Sequence, residues 1–168
     1  MSENTSAADG RHDFDFFHGR WNTRNRKLEN VLDRACTTWV EFDSSLNCEP
    51  VLGGLGNVEP FIAPAMPPSG ERVEAMTLRL FDARTGNWRI WWISPRTPGL
   101  LDENPMEGRF TGKHGEFFGV ETIDGEKVHV KWDWDDLGQE GARWRQSFSY
   151  DDGLTWTVNW TAHHTRAN

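Results

Sequence analysis

The chain has 168 residues, 36% hydrophobic and 26% charged, with a net charge of −8. That length suits one domain with a real core, and the acidic balance argues against nucleic acid and anionic membranes, which select clustered Lys and Arg. No apolar run is long enough to cross a bilayer as a helix.

Residues 1–12 are small and polar at the outset and are expected to be a flexible tail, leaving 13–168 as a single domain. Phe14-Asp15-Phe16-Phe17-His18 reads as a short helical lead-in whose phenylalanines plug one end of the fold. Period-2 alternation predicts strands at 21–28, 36–43 and 46–52. Cys36 and Cys48 lack CxxC or zinc-like spacing and follow no apolar signal segment, so free thiols in a reducing cytoplasm are expected. Gly53-Gly54-Leu55-Gly56-Asn57 lacks the spacing of a nucleotide loop and is read as a turn. Residues 60–70, with Pro60, Pro64, Pro67 and Pro68, read as a loop over one rim. Further strands are predicted at 73–81, 88–93, 108–110, 116–123 and 128–134, with a second long loop at 95–105.

The clearest pattern lies near the C-terminus. Trp144, Gln146, Phe148 and Tyr150 share one parity, and after an Asp-Asp-Gly turn Trp156, Val158, Trp160 and Ala162 share another. Side chains alternate across a strand, so this is a hairpin with one aromatic and one wet face. Ser149-x-Asp151-x-Gly153-x-Thr155-Trp156 matches an Asp-box; in a chain without internal repeats it is read as turn chemistry. Ten Trp and ten Phe suit a barrel or sandwich interior. Roughly eight to ten strands at this spacing predict an all-β, antiparallel up-and-down barrel.

Gly19-Arg20-Trp21 after an aromatic lead-in resembles the Gly-x-Trp signature of lipocalin-like (calycin) barrels, and Arg166 resembles the arginine those barrels pack on that tryptophan. The string 14–28, the Gly54-Leu55-Gly56-Asn57 turn, Leu78-Arg79-Leu80-Phe81-Asp82 and Trp144-x-Gln-x-Phe-Ser through Asn159-Trp160 resemble an uncharacterised bacterial family of lipocalin-like proteins. The resemblance implies a barrel and a ligand cavity, without an assigned reaction. Closing the barrel by pairing first and last strands, with Trp21 opposite Arg166, places Thr23 near His164, Asn25 near Ala162 and Lys27 near Trp160, and gives Trp21 and Arg166 structural roles.

On that parity the inward side chains are Trp88, Ile90, Trp92, Val130, Trp132, Trp134, Trp144, Gln146, Phe148, Trp156, Val158 and Trp160. Asn25, Trp92, Trp134, Trp144, Gln146, Phe148 and Trp160 are the candidate ligand contacts, since an apolar pocket with a few polar groups is the usual small-molecule site. Gln146 stands out because a buried amide needs partners, and a ligand or water is one source of them. His164 and Glu116 are weak catalytic candidates, His164 being also the residue a haem would need, though a packed or half-exposed histidine is the plainer reading. The histidines show no ligand spacing, so no metal is expected, nor any cofactor, and the run Asp133-Trp134-Asp135-Asp136 reads as a solvated strand end. The leading expectation is a barrel binding a small apolar or aromatic molecule. Its alternatives are a cofactor-free enzyme of cyclase, isomerase or decarboxylase type, and a haem-binding barrel; a homodimer is left open.

Overall fold

A computed structural model describes residues 9–96 and 99–168; most of the expected tail lies outside the described residues. Ten antiparallel strands close into one barrel: β1 (Gly19–Leu28), β2 (Trp39–Val51), β3 (Gly56–Met66), β4 (Glu71–Asp82), β5 (Asn87–Ile93), β6 (Met106–Thr111), β7 (His114–Ile123), β8 (Glu126–Asp136), β9 (Ala142–Ser149) and β10 (Thr157–Arg166). Each strand pairs with its sequence neighbours, and β1 closes on β10. The closing register is Trp21↔Arg166, Thr23↔His164, Asn25↔Ala162 and Lys27↔Trp160, as the first and last strands' patterns required.

Three sequence expectations are corrected. Residues 36–43 and 46–52 are not two strands; Trp39–Val51 runs unbroken, with Phe42, Ser44, Leu46 and Cys48 all buried on one face. Residues 60–66 are strand and not loop. Pro60 falls where the β2–β3 ladder skips from Leu46↔Phe61 to Glu49↔Val58, so its missing N–H costs no bond there. Pro64 falls at a register shift between Ala63 and Met66. The third correction concerns β10. A register shift between Val158 and Trp160 adds a residue and reverses the parity before it. Asn159 is therefore buried, while Val158 is exposed and Trp156 lies outside against Phe118 and the Lys131 ammonium.

One end of the barrel is closed by aromatic packing. The lead-in forms a 3₁₀ turn at Asp15–Phe17, and Phe14, Phe17, Trp21, Trp88 and Trp134 meet there, all buried. Phe17 stacks on Trp21 at 5.0 Å and meets Trp134 edge-on at 4.7 Å. The Gly10 carbonyl accepts a 2.8 Å bond from Trp88 Nε1, so the chain engages the barrel from residue 10 onward. Arg166 locks this end: its guanidinium lies 3.9 Å above the Trp21 ring and donates to the carbonyls of Phe16 and His18. Away from this plug, β5 and β6 pair at only three positions, Trp88↔Gly108 to Ile90↔Met106. Beyond Ile90 the two strands part, and the barrel wall opens there.

Candidate functional site

The opening leads into a cavity of about 770 Å³. Its walls are indoles. Trp144 meets Trp132 edge-on at 5.7 Å and Trp160 at 5.4 Å. Trp92, at the mouth and 39% exposed, meets Phe61 edge-on at 5.1 Å. Trp91 donates its indole N–H to the Asp102 carbonyl at 2.9 Å, tying the segment after β5 to the rim. The rim carries both signs of charge. Lys27 is nearly buried over Trp160, and burial lowers its pKa; burial raises that of Glu121, with Asp102 adding to the effect.

The interior polar groups are held by β1, β8, β9 and β10. Asn25 donates to Ser44 Oγ at 2.8 Å and accepts from Trp160 Nε1 at 3.1 Å. Gln146 accepts from Trp132 Nε1 at 2.9 Å and donates to Asn159 Oδ1 at 3.0 Å. The partners that a buried amide needs at Gln146 come from the protein, one for each end.

The floor is of a different kind. Glu59 on β3 and Arg79 on β4 form an ion pair at 2.6 Å, with side chains 5% and 1% exposed. Arg79 donates to Asn57 Oδ1 at 2.9 Å and lies against the rings of Phe14, Phe17 and Trp134, at 4.9, 5.6 and 5.1 Å from their centroids. Burial raises the pKa of Glu59, while the Arg79 guanidinium opposes that shift. A pair so desolvated is a poor source of stability, and breaking it by removing one partner costs about 3–5 kcal/mol. Beside it His164 stacks on Trp134, with ring centroids 5.5 Å apart and planes 13° apart. Its Nδ1 is 2.7 Å from Thr23 Oγ1 and its Nε2 has no partner. Burial, reinforced by Arg79 and His163, pushes its pKa down to about 3, so the ring is neutral at neutral pH. It is the packed histidine of the two alternatives expected, set among Phe17, Trp21 and Trp134 at the plugged end of the barrel.

Of the candidate ligand contacts, Asn25, Trp92, Trp134, Trp144, Gln146 and Trp160 line this cavity, with His164 at its floor. Phe148 does not: it faces a separate hollow of about 320 Å³ beside Leu28, Val31 and Tyr150. Glu116 is also displaced. Its neighbour Phe117 takes the inward position, so the Glu116 carboxylate is on the outer surface, 50% exposed. There the β7–β8 hairpin gathers His114, Glu116 and Asp133, with one ligating atom from each within 4.8 Å of the others, a juxtaposition that sequence spacing did not show. His114 is engaged by Asp135 at 2.7 Å, Asp135 pairs with Arg143 and Arg145, and Lys131 approaches Asp133 at 3.7 Å. This is a charge-compensated surface network. Asp133 is buried within it, which corrects the reading of 133–136 as a solvated strand end.

The Asp-box hairpin is turn chemistry. Asp151 accepts from the Thr155 amide and hydroxyl at 2.9 and 2.6 Å, and Ser149 Oγ accepts from the Gly153 amide at 2.8 Å. Cys36 and Cys48 are both free, and burial pushes the Cys48 thiol up to about 12. No helix is long and apolar enough to cross a membrane, among the described residues. Sequence reasoning missed Glu59, Arg79, Thr23 and Thr77 as cavity residues. Continuing the inward parity of Phe61 back along β3 would have found Glu59, and that of Phe81 along β4 would have found Arg79 and Thr77. No protein-family model matches the chain, and no curated protein matches it.

Proposed function

We propose that this protein belongs with the lipocalin-like barrels and binds one small apolar or aromatic molecule in its Trp-walled cavity. The observation that carries the reading is the unfilled volume of about 770 Å³ in the interior of a closed barrel otherwise rich in packed rings. Ordinary cores leave few voids larger than a water molecule, whereas pockets for small molecules occupy roughly 300–1,000 Å³ with mostly apolar walls and a few placed polar groups. The free thiols of Cys36 and Cys48 fit a reducing compartment such as the cytoplasm. The reading is tested by titrating pyrene into the protein and following energy transfer from tryptophan. Saturable transfer at one site per chain supports it; transfer that never saturates sinks it.

A cofactor-free enzyme on the same scaffold is the second reading. It is favoured by two ionisable groups with displaced pKa values on one cavity floor, Glu59 raised and His164 lowered. Such displacement clusters at catalytic sites, and holding a bound conformer needs few charged residues. Turnover of a bound ligand, lost in His164→Phe while binding persists, separates this reading from simple binding.

A further inference from the structure

The buried polar atoms that lack partners are not scattered through the barrel. Among the described residues there are six: Asn57 Nδ2, Glu59 Oε2, Arg79 Nε, Trp134 Nε1, Arg145 Nε and His164 Nε2. Four belong to residues that line the cavity floor, Glu59, Arg79, Trp134 and His164; the Glu59 oxygen has its ion pair with Arg79, and the other three atoms have no partner at all. Elsewhere in the cavity the polar groups are matched, as at Gln146 and Asn25. A buried polar group left unmatched costs about 1–3 kcal/mol, so a cluster of them in one place marks where a bound molecule completes the bonding.

The kinds of atom say what completes it. Arg79 Nε and Trp134 Nε1 can only donate. Glu59 Oε2 is engaged by Arg79 Nη2 at 2.6 Å, and as a carboxylate oxygen it has a further lone pair with which to accept. His164 Nε2 takes the role opposite to the one Nδ1 plays toward Thr23 Oγ1: it accepts if Nδ1 donates, and donates if the threonine hydroxyl does. The floor therefore offers both donors and an acceptor within one cluster. A ketone or ether oxygen would satisfy only the donors. A hydroxyl satisfies both kinds. A carboxylate would bring a second negative charge to a floor where the charge of Arg79 already faces that of Glu59.

Resting on the cavity reading above, we infer that the ligand is a hydroxyl-bearing aromatic or polycyclic molecule, held with its apolar body among Trp132, Trp144 and Trp160 and its O–H directed into the Glu59–Arg79–Trp134–His164 floor. The hydroxyl donates to Glu59 or His164 and accepts from Trp134 or Arg79, and no bond is made or broken.

The test uses the wild-type protein with three probes of one shape: 1-hydroxypyrene, 1-methylpyrene and 1-pyrenecarboxylate, titrated at neutral pH by tryptophan-to-pyrene energy transfer. 1-Hydroxypyrene is expected to bind at least tenfold more tightly than 1-methylpyrene, with the carboxylate weakest. In His164→Phe and, separately, Trp134→Phe, the ratio of 1-hydroxypyrene to 1-methylpyrene affinity should shrink; an unchanged ratio in both variants overturns the assignment of the hydroxyl to this floor. Equal binding of hydroxyl and methyl probes overturns the assignment but leaves the apolar cavity intact. Tightest binding by the carboxylate also overturns it, since the floor would then carry net positive charge. Saturable binding by none of the three overturns the cavity reading itself, and this inference with it.

Discussion

Acidifying the solution from pH 7 to pH 5 should cost this protein about 2 kcal/mol of stability through His164 alone. The imidazole is 3% exposed and its Nδ1 is engaged by Thr23. Phe17 and Trp134 cover its ring, and Arg79 and His163 oppose a proton there. Its pKa is accordingly near 3 in the folded chain, against 6.5 for the ordinary imidazole. Between those values the unfolded chain holds the extra proton, so the stability is present above about pH 6.5 and is lost as the pH falls toward the folded value. At pH 5 the unfolded imidazole has gained roughly 1.5 pH units' worth of binding, at about 1.4 kcal/mol per unit, and near pH 7 almost none. The assay is urea denaturation of the wild-type protein and His164→Phe at pH 7, 6 and 5, read by tryptophan fluorescence. Phenylalanine keeps an aromatic ring against Trp134 while removing the titration. Asp82 and Asp151, each lowered to about 2 from 3.8, act chiefly at more acid pH, and the raised Glu59 acts in the opposite sense in both proteins. The wild type should lose about 2 kcal/mol more than the variant over this range. Equal losses would refute the claim that His164 is buried and neutral.

Three further outcomes are expected. Gly141 has φ +102°, and a Cβ there would sit on the His164 carbonyl oxygen, so Gly141→Ala should destabilise the barrel by about 3 kcal/mol or more, seen as a lowered urea midpoint. Arg166→Ala removes the guanidinium from Trp21 and two donors from the lead-in carbonyls; a loss of about 1–2 kcal/mol is expected, with faster amide exchange at 14–18. Added haem should produce no Soret shift. Trp134 is stacked on the His164 imidazole and Phe17 stands edge-on to it, so a macrocycle bound at Nε2 would overlap rings already packed there. A sharp Soret band would contradict that.

The parts of the fold legible in sequence were those where local pattern and tertiary context agree. The β1–β10 register follows from Trp21 and Arg166, because pairing one residue of each strand fixes all others. Pro60 and Pro64 hid β3, since a proline speaks for the ladder it lacks, and only the neighbouring strand's register shows that no bond was needed. The shift at Val158/Trp160 hid the true faces of Trp156 and Asn159, because one added residue inverts a parity that spacing alone assumes constant. The floor was hidden for a related reason. In Leu78-Arg79-Leu80 the leucines point outward and the arginine inward, the reverse of the usual binary pattern, and Glu59 sits in the strand the prolines obscured. A local rule broken this consistently, by a buried pair on one floor, is what a binding site is expected to do.

The most direct measurement is electron density from crystals grown with 1-hydroxypyrene. A ring system between Trp144 and Trp160, with its oxygen at hydrogen-bond distance from the floor, is the result this account requires. Side chains collapsed into the same volume, leaving no room for the probe, would contradict it.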